Sequence, residues 1–200
     1  MKAWAVSKEV RLKPAAFLDR DGTLTRDRRG VYITEPGALK LYSRTALALR
    51  LLADKGYRLI VLTNQSGVAR GYLALSTAKK INLRLRAMLA KKGVKINAVY
   101  FCPHGPEEGC SCRKPRAGLI KEALKDFRTR LEDSLVIGDK ASDMGLAINA
   151  GIRPVLVTTG HGGYQLRKHA AALKGVPVFR DILSAAHSAA DRSKTVKRGS

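Results

Sequence analysis

Two aspartates, Asp19 and Asp21, stand where a short apolar run, Ala15-Ala16-Phe17-Leu18, gives way to Gly22-Thr23. Such a run reads as a buried strand of a parallel sheet. The Gly-Thr lets the chain turn sharply off its carboxyl end, the edge of an open sheet at which ligands bind. Two carboxylates so close do not both ionise cheaply without a cation between them. They point to a divalent metal and to a division of labour in which one carboxylate attacks and the other handles protons. Taken alone, Asp-x-Asp-Gly is also ordinary turn chemistry. Three further polar clusters follow other expected strands: Thr63-Asn64, Arg113-Lys114, and Asp139 with Asp143. Together the four supply a nucleophile, a metal clamp, and cationic and hydroxyl donors for equatorial oxygens, the equipment of phosphoryl transfer.

All three cysteines fall in one short segment with a histidine: Cys102, His104, Cys110 and Cys112. Three thiolates and an imidazole are the ligand set of a closed tetrahedral Zn2+ site. With no open position such a zinc is structural, and it would clamp the loop that presents Arg113 and Lys114. The alternative is three free cysteines in a loop.

The elements that must position these groups alternate. A helix is predicted from Ser43 to Gly56 and a strand over Tyr57 to Thr63. A helix capped by Ser76 then carries Ile81, Leu85, Met88 and Leu89, and a strand covers Asn97 to Phe101. Helices over 117–127 and 141–150 and strands over 134–137 and 154–158 follow, with a short strand near Val176 to Phe179 between helices. This is the pattern of a doubly wound α/β fold with a mainly parallel sheet. One domain is expected over 15–190, with an N-terminal extension over 1–14 and a basic, disordered tail over 191–200. The segment between Asp21 and Thr63 must hold a loop and a helix, which leaves no room for a large cap domain, so an open site is expected.

The 200 residues hold 38 Lys+Arg against 16 Asp+Glu, a formal net charge of +22. No acidic residue occurs between Asp54 and Glu107, while Lys79, Lys80, Arg84, Arg86, Lys91, Lys92 and Lys95 crowd one predicted helix and its end. That field attracts polyanions and small phosphorylated molecules alike. Aromatic residues do not interleave with these charges, which favours a solvated face over a nucleic-acid surface. No apolar run approaches the roughly 20 residues of a membrane span, and charges interrupt the first 14 residues where a signal core would lie. A cytosolic protein without membrane association is expected, with a monomer as the default. A reducing compartment disfavours a disulfide framework.

On Asp19-Arg20-Asp21-Gly22-Thr23, Thr63-Asn64-Gln65-Ser66-Gly67-Val68-Ala69-Arg70-Gly71, Cys112-Arg113-Lys114-Pro115 and Gly138-Asp139-Lys140-x-x-Asp143-Met144, the chain resembles the haloacid dehalogenase (HAD) superfamily of aspartate-nucleophile phosphatases. The resemblance runs from about Ala15 to Gly160. It is to the branch holding the D-glycero-D-manno-heptose 1,7-bisphosphate 7-phosphatases and the histidinol-phosphate phosphatases. It implies a Rossmann-like fold in which Asp19 attacks phosphorus while Asp21 protonates the leaving oxygen and then activates water. Mg2+ would be held by Asp19, the Asp21 backbone carbonyl and Asp139, and Thr63 and Lys114 would stabilise the phosphoryl group. Arg113, Lys140, Asn64, Gln65 and Ser66 would contact substrate, and the loop bearing Asp27 and Arg28 would close over it. Asp143 would bind near the metal, or fix Lys140 or the following helix. The short spacer between His104 and Cys110 resembles the histidinol-phosphate branch. The Ser66 to Gly71 segment, Asp139-Lys140 and Val157-Thr158-Thr159-Gly160 resemble the heptose branch, which we favour; Thr25 stands where the heptose enzymes commonly carry Asn. A small phosphorylated sugar is thus the expected substrate. The rivals are a nucleic-acid 3′-phosphatase and, in another class, a zinc-containing nucleic-acid-binding module.

Overall fold

The strand Ala15–Leu18 (β1) is completely buried and occupies the middle of the molecule. Its alternate residues serve two cores. Ala16 and Leu18 join Leu59, Val61, Leu135 and Ile137 under one layer of helices, and Ala15 and Phe17 join Ile60, Leu62 and Val136 under the other. This two-faced burial is why the run is apolar at every position instead of alternating.

The computed structural model describes residues 12–27 and 30–195. Its sheet has the order β3-β2-β1-β4-β5-β6. The remaining strands are Arg58–Asn64 (β2), Ala98–Cys102 (β3), Leu135–Gly138 (β4), Arg153–Val157 (β5) and Val178–Phe179 (β6), and every pairing is parallel. Six helices among the described residues complete the fold: Thr45–Asp54 (α1), Leu75–Ala90 (α2), Gly118–Asp126 (α3), Ala141–Asn149 (α4), Gly162–Lys168 (α5) and Ile182–Thr195 (α6). This is the doubly wound, mainly parallel α/β architecture expected. The chain proceeds outward from β1 to β3, then returns to lay β4 on the other side of β1. That reversal opens a crevice beyond the carboxyl ends of β1 and β4, the place where such sheets bind ligands. In register, Leu18 lies opposite both Val61 and Ile137, which puts Asp19 level with Leu62 and Gly138, one residue short of Thr63 and Asp139.

Two expectations require correction. Ser76 does not cap α2: the extended backbone a cap needs falls on Ala74 (φ −69°, ψ 152°), and Ser76 lies inside the first turn. The tail expected to be disordered from 191 is helical as far as Thr195, because each residue added to an established helix gains a backbone hydrogen bond without a new nucleus. Residues 196–200, Arg28, and the extension up to residue 11 lie outside the described residues. Between Leu18 and α1 the described chain forms only turns, isolated bridges and a short 3-10 turn at Pro36–Ala38, so that segment holds no cap domain among the described residues. No helix of the described residues is long and apolar enough to cross a membrane.

Candidate active site

Each of the four polar clusters leaves a strand end or the loop it opens. Asp19 follows β1, and its backbone N–H donates to the Ile137 carbonyl of β4 (2.9 Å). Thr63 and Asn64 end β2. Lys114 lies on the long loop that leaves β3, and Asp139 follows β4 directly. The chain turns between Asp21 and Thr25 through Gly22, whose positive φ of 94° and lack of a side chain let it lie against the Asp139 carboxylate. Gly160 (φ 58°) packs on the same carboxylate from beyond β5.

Lys114, 5% exposed, sits at the centre. Its Nζ is 2.5 Å from Asp19 Oδ1, 2.5 Å from Asp143 Oδ1 and 2.9 Å from the Leu62 carbonyl. Burial works against its charge, but Asp143 and Asp19 outweigh burial and raise its pKa. Asn64 fixes this lysine from behind. Its Nδ2 donates to the Lys114 carbonyl (3.2 Å) and its Oδ1 accepts the Lys114 N–H (3.1 Å). Thr63 is buried, and its hydroxyl accepts a hydrogen bond from Gln65 Nε2 (2.8 Å), which also donates to Asp21 Oδ2 (2.9 Å). The amides of Asn64 and Gln65 are therefore engaged with protein, not pointed at open solvent, and Ser66 follows them in the turn, its carbonyl accepting the Arg70 N–H (3.1 Å).

Asp143 fills two of the roles left open for it. Its Oδ2 accepts the Lys140 backbone N–H (3.0 Å), tying down the first turn of α4, while Oδ1 faces Lys114. Lys140 Nζ reaches the Asp21 carbonyl (3.3 Å) and Asp27 Oδ2 (3.2 Å). Although burial opposes it, the surrounding carboxylates, Asp19 and Asp139 foremost, raise its pKa. Asp27 Oδ2 also meets His161 Nε2 (3.0 Å), and the His161 backbone N–H donates to Asp139 Oδ2 (2.7 Å). The loop after β1 is thus fastened to the loops after β4 and β5. Arg113 Nη1 donates to the His104 carbonyl (3.0 Å).

Carboxylates outnumber cations here. Asp19, Asp21, Asp27, Asp139 and Asp143 face Arg20, Lys114 and Lys140, leaving two negative charges over when all are ionised. Burial pushes Asp19 up to about 6 against the pull of Lys114, and burial also holds Asp139 well above the usual range. Asp19 Oδ2 and Asp139 Oδ1 are buried without a hydrogen-bond partner, and Asp19, Asp139 and Asp143 bring carboxylate oxygens within 4.8 Å of one another. Orphaned buried carboxylate oxygens in an excess of two charges fit a divalent cation.

Cys102 Sγ, His104 Nδ1, Cys110 Sγ and Cys112 Sγ also lie within 4.8 Å of one another. The Cys102–Cys110 and Cys110–Cys112 sulfur pairs are 3.6 Å apart, and His104 Nδ1 is 3.5 Å from Cys102 and 3.2 Å from Cys112. Sulfurs bound at ~2.3 Å around a tetrahedral zinc lie ~3.8 Å apart, so the donor set and its spread fit that ion. Against burial, the Arg113 backbone N–H and the neighbouring thiols hold Cys110 near 7, while burial pushes Cys102 up.

Two groups at the site escape a reading of motifs. Arg20 is buried and forks onto Asp21, and Asn82 of α2 backs it. The available signal is a polar residue between Ile81 and Leu85 on an otherwise apolar face.

The sheet order and the carboxylates at its switch point define a HAD-like hydrolase, and residues 111–185 match the HAD-hydrolase-like family model. A probable D-glycero-D-manno-heptose-1,7-bisphosphate 7-phosphatase of Thermoplasma acidophilum is 49% identical over 137 residues, covering 68% of this chain and 84% of the relative. The D-glycero-beta-D-manno-heptose-1,7-bisphosphate 7-phosphatase of Pseudomonas putida is 36% identical over 180 residues, 85% of this chain and 95% of that one. The crystal structure of D,D-heptose 1,7-bisphosphate phosphatase from B. bronchiseptica, complexed with magnesium and phosphate, superposes with a TM-score of 0.82 at 30% identity, covering 90% of this chain and 99% of that chain. The chain belongs to the HAD phosphatases, in the heptose-1,7-bisphosphate 7-phosphatase family.

Because Lys114 bridges two buried carboxylates, Lys114→Met is expected to destabilise the metal-free protein by about 3–5 kcal/mol. Chemical denaturation of the two proteins in chelator measures this directly.

Proposed function

We propose that the protein hydrolyses D-glycero-D-manno-heptose 1,7-bisphosphate to heptose 1-phosphate and phosphate, with Asp19 as nucleophile. The observation that carries this reading is the state of Asp19. Its Oδ1 is held by Lys114 and its Oδ2 is buried without a partner, beside Asp139 at the switch point of the sheet. The named substrates of the relatives support the choice of sugar.

In this account an Asp19 oxygen bonds to phosphorus as the ester oxygen leaves, and Asp21 passes a proton to that oxygen. Asp21 then takes a proton from the water that attacks the aspartyl-phosphate, which frees phosphate and restores Asp19. Lys114 and the Thr63 hydroxyl stabilise charge on the transferring group. Lys140 and Arg113 receive the charged substrate, while Asn64, and Gln65 until it turns to substrate, hold Lys114 and Asp21. Asp19, Asp139 and the Asp21 carbonyl would hold magnesium, which when bound would supply charge neutralisation for the phosphoryl oxygens. Cys102, His104, Cys110 and Cys112 would hold zinc, and so fix the loop that delivers Arg113 and Lys114. The site lies in a cytoplasmic protein.

Magnesium-dependent phosphate release is measured on both heptose 1,7-bisphosphate anomers, histidinol phosphate and a 3′-phosphorylated oligonucleotide, for wild type and Asp19→Asn. Preference for a heptose anomer, abolished by Asp19→Asn, is expected; preference for another ester would keep the mechanism and replace the substrate. Lys114→Ala is expected to lower turnover by ~10²-fold. Removal of zinc by a thiol-selective chelator, followed by magnesium, is expected to lower activity and lower the melting temperature together. An unchanged melt after verified metal removal would contradict the clamp.

A further inference from the structure

Arg20 stands between the two aspartates, is 1% exposed, and has no part in the reaction above. Its guanidinium forks onto Asp21, Nε to Oδ1 at 2.9 Å and Nη2 to Oδ2 at 2.7 Å. Its remaining nitrogen, Nη1, donates to Asn82 Oδ1 at 2.7 Å, on the buried side of α2. Two more donors complete the cradle, Thr25 Oγ1 to Oδ1 (3.1 Å) and Gln65 Nε2 to Oδ2 (2.9 Å).

A guanidinium fork is planar and rigid, so its plane dictates the direction of the carboxylate it holds. Asn82 in turn dictates that plane. Burying a cation costs free energy that an apolar side chain of similar volume would not, and among the described residues the ion pair of Arg20 is with Asp21. What Arg20 contributes is therefore to be sought in what it does to Asp21. Lys140, at 3.3 Å from the Asp21 carbonyl, is the competing cation next to the same residue.

We propose that Arg20 is a positioning residue for Asp21: it aims the carboxyl group for proton transfer to the leaving oxygen and keeps it off Lys140, and Asn82 holds Arg20 in place. The inference rests on the phosphatase reading. In the step concerned, a bond forms between Asp19 and phosphorus and the ester P–O bond breaks. The proton that Asp21 has taken from solvent passes to the departing alkoxide. Gln65, whose amide is shared with Thr63, is the donor that turns away to an incoming phosphoryl oxygen.

The test uses the leaving group. A sugar alkoxide needs that proton, whereas 4-nitrophenolate leaves without it. The ratio kcat/KM reports only the steps through formation of the aspartyl-phosphate. Arg20→Lys is expected to lower kcat/KM for heptose 1,7-bisphosphate at least ~10-fold while that for 4-nitrophenyl phosphate changes less than ~3-fold. Asn82→Ala, which removes no charge, is expected to give a smaller loss with the same selectivity, and it decides the matter alone should Arg20→Lys fail to fold. Equal losses on both esters, or no loss on either, by a variant with a cooperative thermal melt would overturn the proposal. A wild-type protein that cleaves neither ester would overturn the phosphatase reading and the proposal with it.

Discussion

The buried ammonium of Lys114, held between the carboxylates of Asp19 and Asp143, is the interaction on which the rest of the site depends. Two carboxylates at 5% exposure or less cannot share a dry crevice without a cation, and the neighbouring Asp139 is left to Lys140, which Asp27 also engages. The surrounding structure is arranged to hold that lysine and to leave the remaining charge unanswered. Asn64 fixes the Lys114 backbone from the end of β2, and Cys102, His104, Cys110 and Cys112 gather on the loop that leads to it from β3. The unpartnered oxygens of Asp19 and Asp139 are what a divalent cation would complete.

This acidic crevice sits in a protein of formal charge +22. The two facts serve different ranges. A strong positive field raises the encounter rate of anions from a distance and fades with salt, whereas the crevice acts only on a group in contact with it. A phosphate ester drawn inward would meet Lys140 and Lys114 at the same carboxylates that repel an unescorted anion. The metal is thus the element that would turn a repulsive pocket into a receptive one. Turns at Gly22 and Gly160 allow the three strand-end loops to close on Asp139 with no side chain between them.

Strand ends were legible in the sequence because each apolar run stops at a polar cluster, and burial on both faces of a parallel sheet makes those runs continuous. The convergence of Asp19, Thr63, Lys114 and Asp139 followed from topology alone. The helix start at Ser76 was misread because capping is decided by backbone conformation, which fell on Ala74. That Asn64 and Gln65 engage Lys114, Asp21 and Thr63 was not legible, since a polar side chain at a strand end reads the same whether it meets a ligand or a neighbouring chain. Arg20 and Asn82 were missed for a related reason: a contact across 62 residues leaves no spacing to recognise. The lone asparagine among Ile81, Leu85 and Leu89 was its only trace.

The central claim is that Asp19 attacks phosphorus, and the stereochemistry at phosphorus tests it most directly. Hydrolysis, in isotopically distinct water, of a heptose ester whose phosphoryl group is made chiral with sulfur and oxygen isotopes should release thiophosphate of retained configuration, because attack by Asp19 and then by water inverts phosphorus twice. Net inversion would mean that water attacks the ester directly, and the account would be wrong.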